Sequence, residues 1–487
     1  MLPQNIDAHK VKEAVTDVSQ IPAEVSDISD SNVGWEGDDD PENPMNWSNA
    51  WKKTIILLVT FATFNDAAAS SIFTPGVPLV LEEFHTTNPA VSPFLIAVHV
   101  VGFATGPLIS SPLSEIHGRC PAMHASNVLF FIASILCAVS VNVPMLAIAR
   151  VLLGLAGAVP NALAGGFVAD LVPLEKRGSS LALLAVGTLT AGQLLTSSTG
   201  PIIGGYMAFK VGWRWTFWLE AIVVGCTTVL SFILLRETYP PVLLRRKAAK
   251  LGIQKRHNET HGQTLRRAIF RPIKLVFYSP IVIIITLYNS VPYIYMYYMV
   301  TTFPTLFGEE YGFNTGEVGL AYLGQGIGFL IAQIAVGRFA DWYIKRQHIQ
   351  HGRVTPEDRL PPATFGFILF GVGMLWFGWS AQVHAHWIVP IIGSAFVGLG
   401  IVAGFLVVQV YIVDAFTIYA ASALAANNLI RSVFAALLPM SGPAMYDRLG
   451  YGWGNTILGL VALSIAPTTL LLMKYGEKIR RRYPVEL

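Results

Sequence analysis

Long apolar runs dominate the hydrophobic pattern of this chain, and short polar connectors separate them. An α-helix needs about 20 apolar residues to cross the hydrocarbon core of a bilayer, and the runs have this length. The pattern predicts twelve membrane spans, at 54–80, 93–113, 122–142, 144–170, 179–206, 213–235, 276–303, 317–337, 363–380, 387–413, 420–446 and 452–474.

Composition agrees with a membrane protein. Of the 487 residues, 53% are hydrophobic and only 13% are charged, about half the charged fraction of soluble domains. The first apolar run follows a polar stretch, residues 1–50, so we expect a span there and not a cleaved signal peptide. The predicted fold class is an all-α polytopic membrane protein with twelve transmembrane helices.

The positions of the basic residues predict the orientation. If the N-terminus is cytoplasmic, all 33 Lys and Arg residues fall on the cytoplasmic side except Lys210, Arg214 and Arg448, near the other face, and Arg150 and Arg431, within spans. Basic loops remain in the cytoplasm, so we expect both termini there, in a multi-pass protein of the plasma membrane.

The connector between spans six and seven divides the chain into equal halves. We expect a cytoplasmic polar tail at 1–50, six-helix bundles at 51–235 and 276–474, and a cytoplasmic tail at 475–487. The connector at 236–275 is basic and amphipathic, which is typical of a segment lying along the inner leaflet. Paired six-helix halves are typical of transporters whose substrate site lies between the halves, near the bilayer midplane.

Several motifs resemble those of a known family. "PLSEIHGR" after span two, "ARVLLGLAGAVP" in span four and "STGPIIGGY" in span five resemble signatures of the major facilitator superfamily. "NPMNWS", "GWRWTFWLE", "RETYPPVLLRRKA" and "YIVDAF" resemble the fungal twelve-span drug:proton antiporters. The resemblance implies two pseudo-symmetric six-helix bundles and proton-driven efflux of drugs or secondary metabolites by alternating access.

The motif after span two predicts a conformational latch. Gly118 permits a tight reversal, and Arg119 presents a fixed donor fork for which Glu115 and Asp170 are candidate partners. Ser111, Glu115 and Ile116 depart from the family pattern, which has glycine, aspartate and a basic residue there. An ordinary basic loop is the alternative.

Three glycines and a proline interrupt span five. Gly200, Gly204 and Gly205 form a face of small residues that lets another helix approach closely, and Pro201 can bend the helix. Simple close packing explains this face equally well. The resemblance implies instead a bend that seals the inward end of the pathway and favours antiport.

Ionisable residues within spans are candidates for proton coupling. Asp66 lies in span one, where removal from water favours the neutral form of a carboxyl group, so we expect it to carry protons. The resemblance implies that Arg150 controls proton movement; a packing salt bridge is the alternative. We expect a structural role for Glu220.

Other polar residues within spans predict a substrate cavity. Aromatic rings with polar tips in span seven suit bulky amphipathic molecules, although an interfacial aromatic belt is the alternative for the terminal tyrosines. The candidate cavity residues are His99, Asn161, Gln193, Asn289, Tyr293, Tyr297, Gln325, Asn427 and Arg431.

The sequence argues against other classes of function. No ATP-binding P-loop, zinc-protease or nucleophile-elbow motif is present, and three cysteines show no metal spacing, so we expect no enzyme activity, metal or cofactor. The expected partners are a small molecule, protons and the bilayer, without nucleic acid, for a chain that works as a monomer. Uniport, and export of a small carboxylic acid or of polyamines, remain alternatives.

Overall fold

The computed structural model describes residues 34–37, 39–172, 191–251, 274, 279–351, 356–416 and 420–482. These residues are almost entirely helical. In the N-terminal half the helices are α1 (Asn49–Ile72), α2 (Val77–Glu83), α3 (Val91–His117), α4 (Arg119–Ala138), α5 (Val143–Leu171), α6 (Ala191–Val211) and α7 (Arg214–Leu234). They are followed by α8 (Pro240–Lys250), α9 (Pro280–Thr305), α10 (Thr315–Ala321), α11 (Leu323–His351), α12 (Pro361–Gln382), α13 (Ile388–Phe416), α14 (Ala420–Leu437) and α15 (Gly442–Arg482).

The helix boundaries have local causes. The side chains of Ser48 and Asn142 accept hydrogen bonds from the backbone N–H groups three residues later, which caps α1 and α5. Asn314 and Glu317 form a capping box at the start of α10. Gly450 has a left-handed φ of 71°, so α15 is two helical segments joined at a sharp kink.

The helices of the structure account for the twelve predicted spans. Ten helical stretches of the described residues are long and apolar enough to cross a membrane. The last of them, Ala423–Arg480, is 58 residues long and contains two spans, α14 and the second segment of α15. Helix α6 supplies the remaining span. Span five was predicted to begin at residue 179, and its first part lies outside the described residues.

Glycines allow close helix pairs in both halves. A Cβ on Gly102 would lie 2.0 Å from the Val151 carbonyl oxygen, so α3 and α5 touch through their backbones. In the C-terminal half, a Cβ on Gly400 would lie 2.5 Å from the Gly366 carbonyl oxygen, which brings α12 and α13 together in the same way. Small residues are the usual means of packing helices within a bilayer, where lipid is as apolar as the side chains.

The segment before α1 is folded against the connector. The Asp40 carboxylate accepts hydrogen bonds from the backbone N–H groups of Glu36 and Glu42, both at 2.8 Å, and from Lys247 Nζ of α8 at 3.1 Å. Lys247 also pairs with Glu36 at 3.0 Å. The part of the predicted N-terminal tail that the structure describes is therefore attached to the connector helix.

The C-terminal helix extends beyond the predicted end of span twelve. Helix α15 continues to Arg482, so much of the predicted tail at 475–487 is helical. Arg480 donates two hydrogen bonds to the buried carboxylate of Glu357, at 3.1 and 3.0 Å. Basic side chains are favourable in the last turns of a helix, where the backbone dipole is negative.

Candidate functional site

Three helices of the N-terminal half converge on Asp66. Its carboxylate is 3% exposed on α1, and Oδ2 accepts a hydrogen bond from Asn161 Nδ2 of α5 at 3.0 Å. His99 Nε2 of α3 lies 3.5 Å from the other oxygen, Oδ1. Gly157 makes room for this carboxylate, because a Cβ there would lie 2.0 Å from Oδ1. The structure thus brings together Asp66, His99 and Asn161, which were predicted separately.

Arg150 lies buried in the same half without a hydrogen-bond acceptor among the described residues. Its side chain has no exposed surface, and its guanidinium carbon lies 4.7 Å above the Phe73 ring. Glu220 on α7 is the acid that interacts with it electrostatically, and neither carboxylate oxygen of Glu220 has a hydrogen-bond donor among those residues. The predicted structural role of Glu220 therefore has no hydrogen bond to support it.

The tyrosines of α9 form two faces with different surroundings. Tyr288, Tyr295 and Tyr298 hydrogen-bond to Thr469, the Leu458 carbonyl and the Leu438 carbonyl, so this face packs within the C-terminal half. Asn289, Tyr293 and Tyr297 follow each other at intervals of four residues on the other face. The packing shows that the first face is structural, because its hydroxyl groups bond within the C-terminal half.

The second tyrosine face meets the polar face of α14. Asn289 Nδ2 donates to Asn427 Oδ1 at 3.3 Å, and one turn further along both helices Arg431 lies 4.2 Å above the Tyr293 ring. Tyr297 packs edge-on against Tyr293, with centroids 5.3 Å apart, and interacts electrostatically with both Arg431 and Asp66. Tyr297 therefore belongs to the same aromatic cluster as Tyr293.

The other predicted cavity residues are less connected. Gln325 on α11 is 3% exposed, and its Nε2 has no acceptor among the described residues. Gln193 lies in α6, but its side chain is outside the described residues. A small pocket lies within the N-terminal half, lined by Asn65, Asn127 and Thr227. Among the described residues, no group of three or more His, Cys, Asp or Glu side chains could hold a metal ion.

The residues predicted to form a latch meet at the end of the N-terminal half where α1 begins. Arg119 Nε lies 3.4 Å from Asp170 Oδ2, and Nη1 donates to Ser114 Oγ at 2.9 Å. The guanidinium carbon also lies 4.6 Å above the Tyr239 ring of the connector. Glu115 is exposed, and its carbonyl oxygen accepts a hydrogen bond from Arg245. Of the two candidate partners predicted for Arg119, Asp170 is the one that its guanidinium group contacts.

Sequence reasoning missed Glu237, which is central to this cluster. Its buried carboxylate accepts hydrogen bonds from the backbone N–H groups of Arg119 at 2.9 Å and Cys120 at 3.2 Å, the first two residues of α4. These N–H groups have no acceptor within the helix, and Gly118 before them has no side chain to supply one. The adjacent Thr238 donates to Asp170 Oδ2 at 3.2 Å. The signal was an acidic residue near the start of a mostly basic connector.

The glycines of α6 pack against both halves. A Cβ on Gly200 would lie 2.3 Å from Ser71 Oγ, and a Cβ on Gly204 would lie 1.7 Å from the Ile72 carbonyl oxygen of α1. A Cβ on Gly205 would lie 2.5 Å from the Thr315 carbonyl oxygen of α10, in the other half.

This contact is at the end of the bundle opposite the Arg119–Asp170 pair. A Cβ on Gly319 of α10 would lie 2.4 Å from the Pro201 carbonyl oxygen of α6. Under the predicted orientation this contact lies at the outer end, whereas the resemblance implied a seal at the inward end; the role of the bend stays a prediction. Helix α6 runs outward, and its small residues fall in its last turns, where α1 ends and α10 begins.

Comparisons with known proteins agree on one fold and one class of protein. Residues 59–354 match the profile of the Major Facilitator Superfamily. The chain is 43% identical to "MFS-type transporter tndD" of Aspergillus flavipes, over 93% of this chain and 86% of that one. It is 39% identical to "Efflux pump radE" of Floropilus chiversii, with the same coverage.

A solved structure supports the same fold at low sequence identity. The xylose transporter XylE from E. coli, in a partially occluded inward open conformation, superposes with a TM-score of 0.65 and 18% identity. The match covers 88% of this chain and 98% of the XylE chain. This likeness shows the arrangement of helices.

Proposed function

Because the chain belongs to the major facilitator superfamily of multi-pass membrane transporters, we propose that it exports small organic molecules by proton antiport. The buried carboxyl group of Asp66 carries this proposal. It lies in a membrane-spanning helix beside a histidine and an amide, and a carboxyl group in such surroundings can gain and lose a proton as access alternates. Efflux is favoured by the relative named as an efflux pump.

Arg150 is the proposed modulator of this proton site. It is buried on α5, the helix that also supplies Asn161 and Gly157 to Asp66, and it interacts electrostatically with His99 and Glu220. A fixed positive charge favours the charged form of carboxyl groups within several ångströms. In this proposal Arg150 acts on Asp66 through the neighbouring His99.

Alternating access supplies the coupling between protons and cargo. The halves touch backbone to backbone through α6 and α10, and small residues allow this contact to open and close as the halves rock. We place the Arg119–Asp170–Glu237 cluster and both termini on the cytoplasmic side of the plasma membrane. Both halves belong to one chain, so a monomer contains the complete pathway.

The cargo in this proposal is a secondary metabolite or a drug-like compound. Aromatic side chains of α9 and α13 meet polar groups of α14 in the C-terminal half, which suits molecules with both apolar and polar parts.

Uphill transport into inverted plasma-membrane vesicles tests the coupling. A fluorescent drug-like amine or acid should accumulate only while a proton gradient is present, and a protonophore should abolish the accumulation. Asp66→Asn should remove uphill transport, whereas Asp447→Asn, at an exposed position, should retain it. Accumulation that survives the protonophore, or normal transport by Asp66→Asn, refutes coupling through Asp66.

A further inference from the structure

The facing polar surfaces of α9 and α14 leave one set of buried hydrogen-bonding atoms unused. Asn289 and Asn427 share one hydrogen bond, and the remaining Oδ1 of Asn289 and Nδ2 of Asn427 have no partner among the described residues. Both side chains are almost fully buried, at 0% and 1% exposure. Leaving such groups unpaired costs about 1–3 kcal/mol each, so they favour a ligand that offers both a donor and an acceptor.

Arg431 adds a positively charged donor one turn further along α14. Two of its nitrogens, Nε and Nη2, donate to Asn428 Oδ1 at 3.2 and 2.7 Å, which fixes the plane of the guanidinium group. The third, Nη1, is buried without an acceptor among the described residues. No carboxylate among those residues lies within 4.0 Å of Arg431.

Two aromatic rings flank this guanidinium group. Its central carbon lies 4.2 Å from the centroid of the Tyr293 ring and 4.7 Å from that of Phe405, and the two rings are 6.5 Å apart and within 21° of parallel. The guanidinium therefore occupies a corner between the rings and is not stacked between them. Tyr293 and Phe405 are only half-buried, so a flat ligand can reach them.

We propose that this surface recognises weakly acidic compounds whose negatively charged oxygen is conjugated to a flat ring. The oxygen accepts from Arg431 Nη1, the ring lies against Tyr293 and Phe405, and a neighbouring polar group pairs with Asn289 and Asn427. This assignment rests on the proposed transport function and names the cargo class of the same site. It separates the cargo from aliphatic dicarboxylates, which lack the ring, and from polyamines, which carry the wrong charge.

Equilibrium binding to the full-length protein in nanodiscs tests the assignment without any proton gradient. The probes are two matched pairs at neutral pH, 4-hydroxycoumarin with coumarin and 2-naphthoate with 2-naphthamide, together with succinate and spermidine. Affinity is obtained from the rise in Tm with probe concentration. The acid of each pair should bind about tenfold or more tightly than its neutral partner, the range expected for one charge-assisted hydrogen bond.

Substitutions then locate the preference. Arg431→Gln should remove the tenfold preference for both acids while leaving the neutral partners bound as before, and Asn427→Ala should weaken all four ring compounds. Arg448→Gln, which removes an exposed arginine, should change nothing and serves as the matched control. Size-exclusion profiles identical to wild type establish that each variant is folded.

The outcomes separate this assignment from the transport proposal. Equal binding of acids and neutral partners, or tighter binding of succinate or spermidine, overturns the cargo class even if vesicles show proton-driven transport. An acid preference that persists in Arg431→Gln overturns the role of this arginine. Loss of proton dependence in vesicles with the acid preference intact refutes antiport and leaves the binding assignment standing.

Discussion

Replacing Glu237 with glutamine isolates the contribution of the acid that caps α4. The carboxylate accepts four backbone N–H groups, from Arg119, Cys120, Thr238 and Tyr239, at distances between 2.9 and 3.2 Å. Glutamine has nearly the same size but only one acceptor oxygen and no charge. The substitution therefore alters hydrogen bonding and electrostatics without opening a cavity.

The expected loss of stability follows from these contacts. One buried N–H group, that of Cys120, is left facing an NH₂ group, which costs about 1–3 kcal/mol. Loss of the negative charge at the N-terminus of α4 adds about 1 kcal/mol in a partly buried setting. We expect Glu237→Gln to lower the free energy of unfolding by about 2–4 kcal/mol, because both effects act at the same carboxylate.

Thermal unfolding of the purified protein, followed by exposure of the buried Cys120 and Cys137 to a thiol-reactive dye, measures this effect. A loss of this size should lower the Tm by about 2–4 °C, because the entropy of unfolding grows with chain length. Glu82→Gln, which changes an exposed glutamate of α2, is the matched control and should retain the wild-type Tm. If Glu237→Gln unfolds at the same temperature as this control, the capping role of Glu237 is refuted.

Three further predictions concern other parts of the molecule. Gly157→Ala should reduce proton-driven uphill transport in vesicles by at least about tenfold, because the new Cβ displaces the Asp66 carboxylate. Gly165→Ala on the same helix is the control, because open space surrounds that position. Equal transport rates in the two variants would contradict the reasoning. Gly205→Ala should separate α6 from α10, so that a cysteine introduced in place of Ile72 is labelled faster by an impermeant thiol reagent added outside. Gly308→Ala is the control and should leave the labelling rate unchanged. Unchanged labelling in Gly205→Ala would rule out a closing role for this contact. The pKa of Asp40 lies below its usual range, because its carboxylate accepts hydrogen bonds from the backbone N–H groups of Glu36 and Glu42 and from Lys247. The attachment of Asp40 to α8 should therefore be fully present above the ordinary Asp pKa of about 3.9 and weaken only as the pH falls through the lowered pKa. Asp40→Asn should therefore speed proteolysis before α1 at neutral pH, relative to Asp39→Asn, and equal cleavage rates would show that Asp40 does not hold this segment.

Features that depend on chain length and local chemistry were predictable from the sequence. The spans follow from apolar runs, because a bilayer accepts only segments of sufficient length whose backbone groups are satisfied within the helix. Asp66 and Arg150 were identifiable because an ionisable side chain within such a run is costly unless it has a function or a partner. The face formed by Asn289, Tyr293 and Tyr297 follows from a spacing of four residues.

Only the tertiary structure decided which of these residues meet. Asp66, His99 and Asn161 come from three helices, and their contact depends on the rotation of each helix about its axis, which periodicity leaves open. Glu237 is far from α4 in sequence and caps it because α7 returns to the end where α4 begins. The sequence identifies the glycines of α6 as a face of small residues, but only the structure shows that the backbones of α1 and α10 are what touch them. Side-chain chemistry and span length are encoded locally, whereas contacts between distant helices arise from packing in three dimensions.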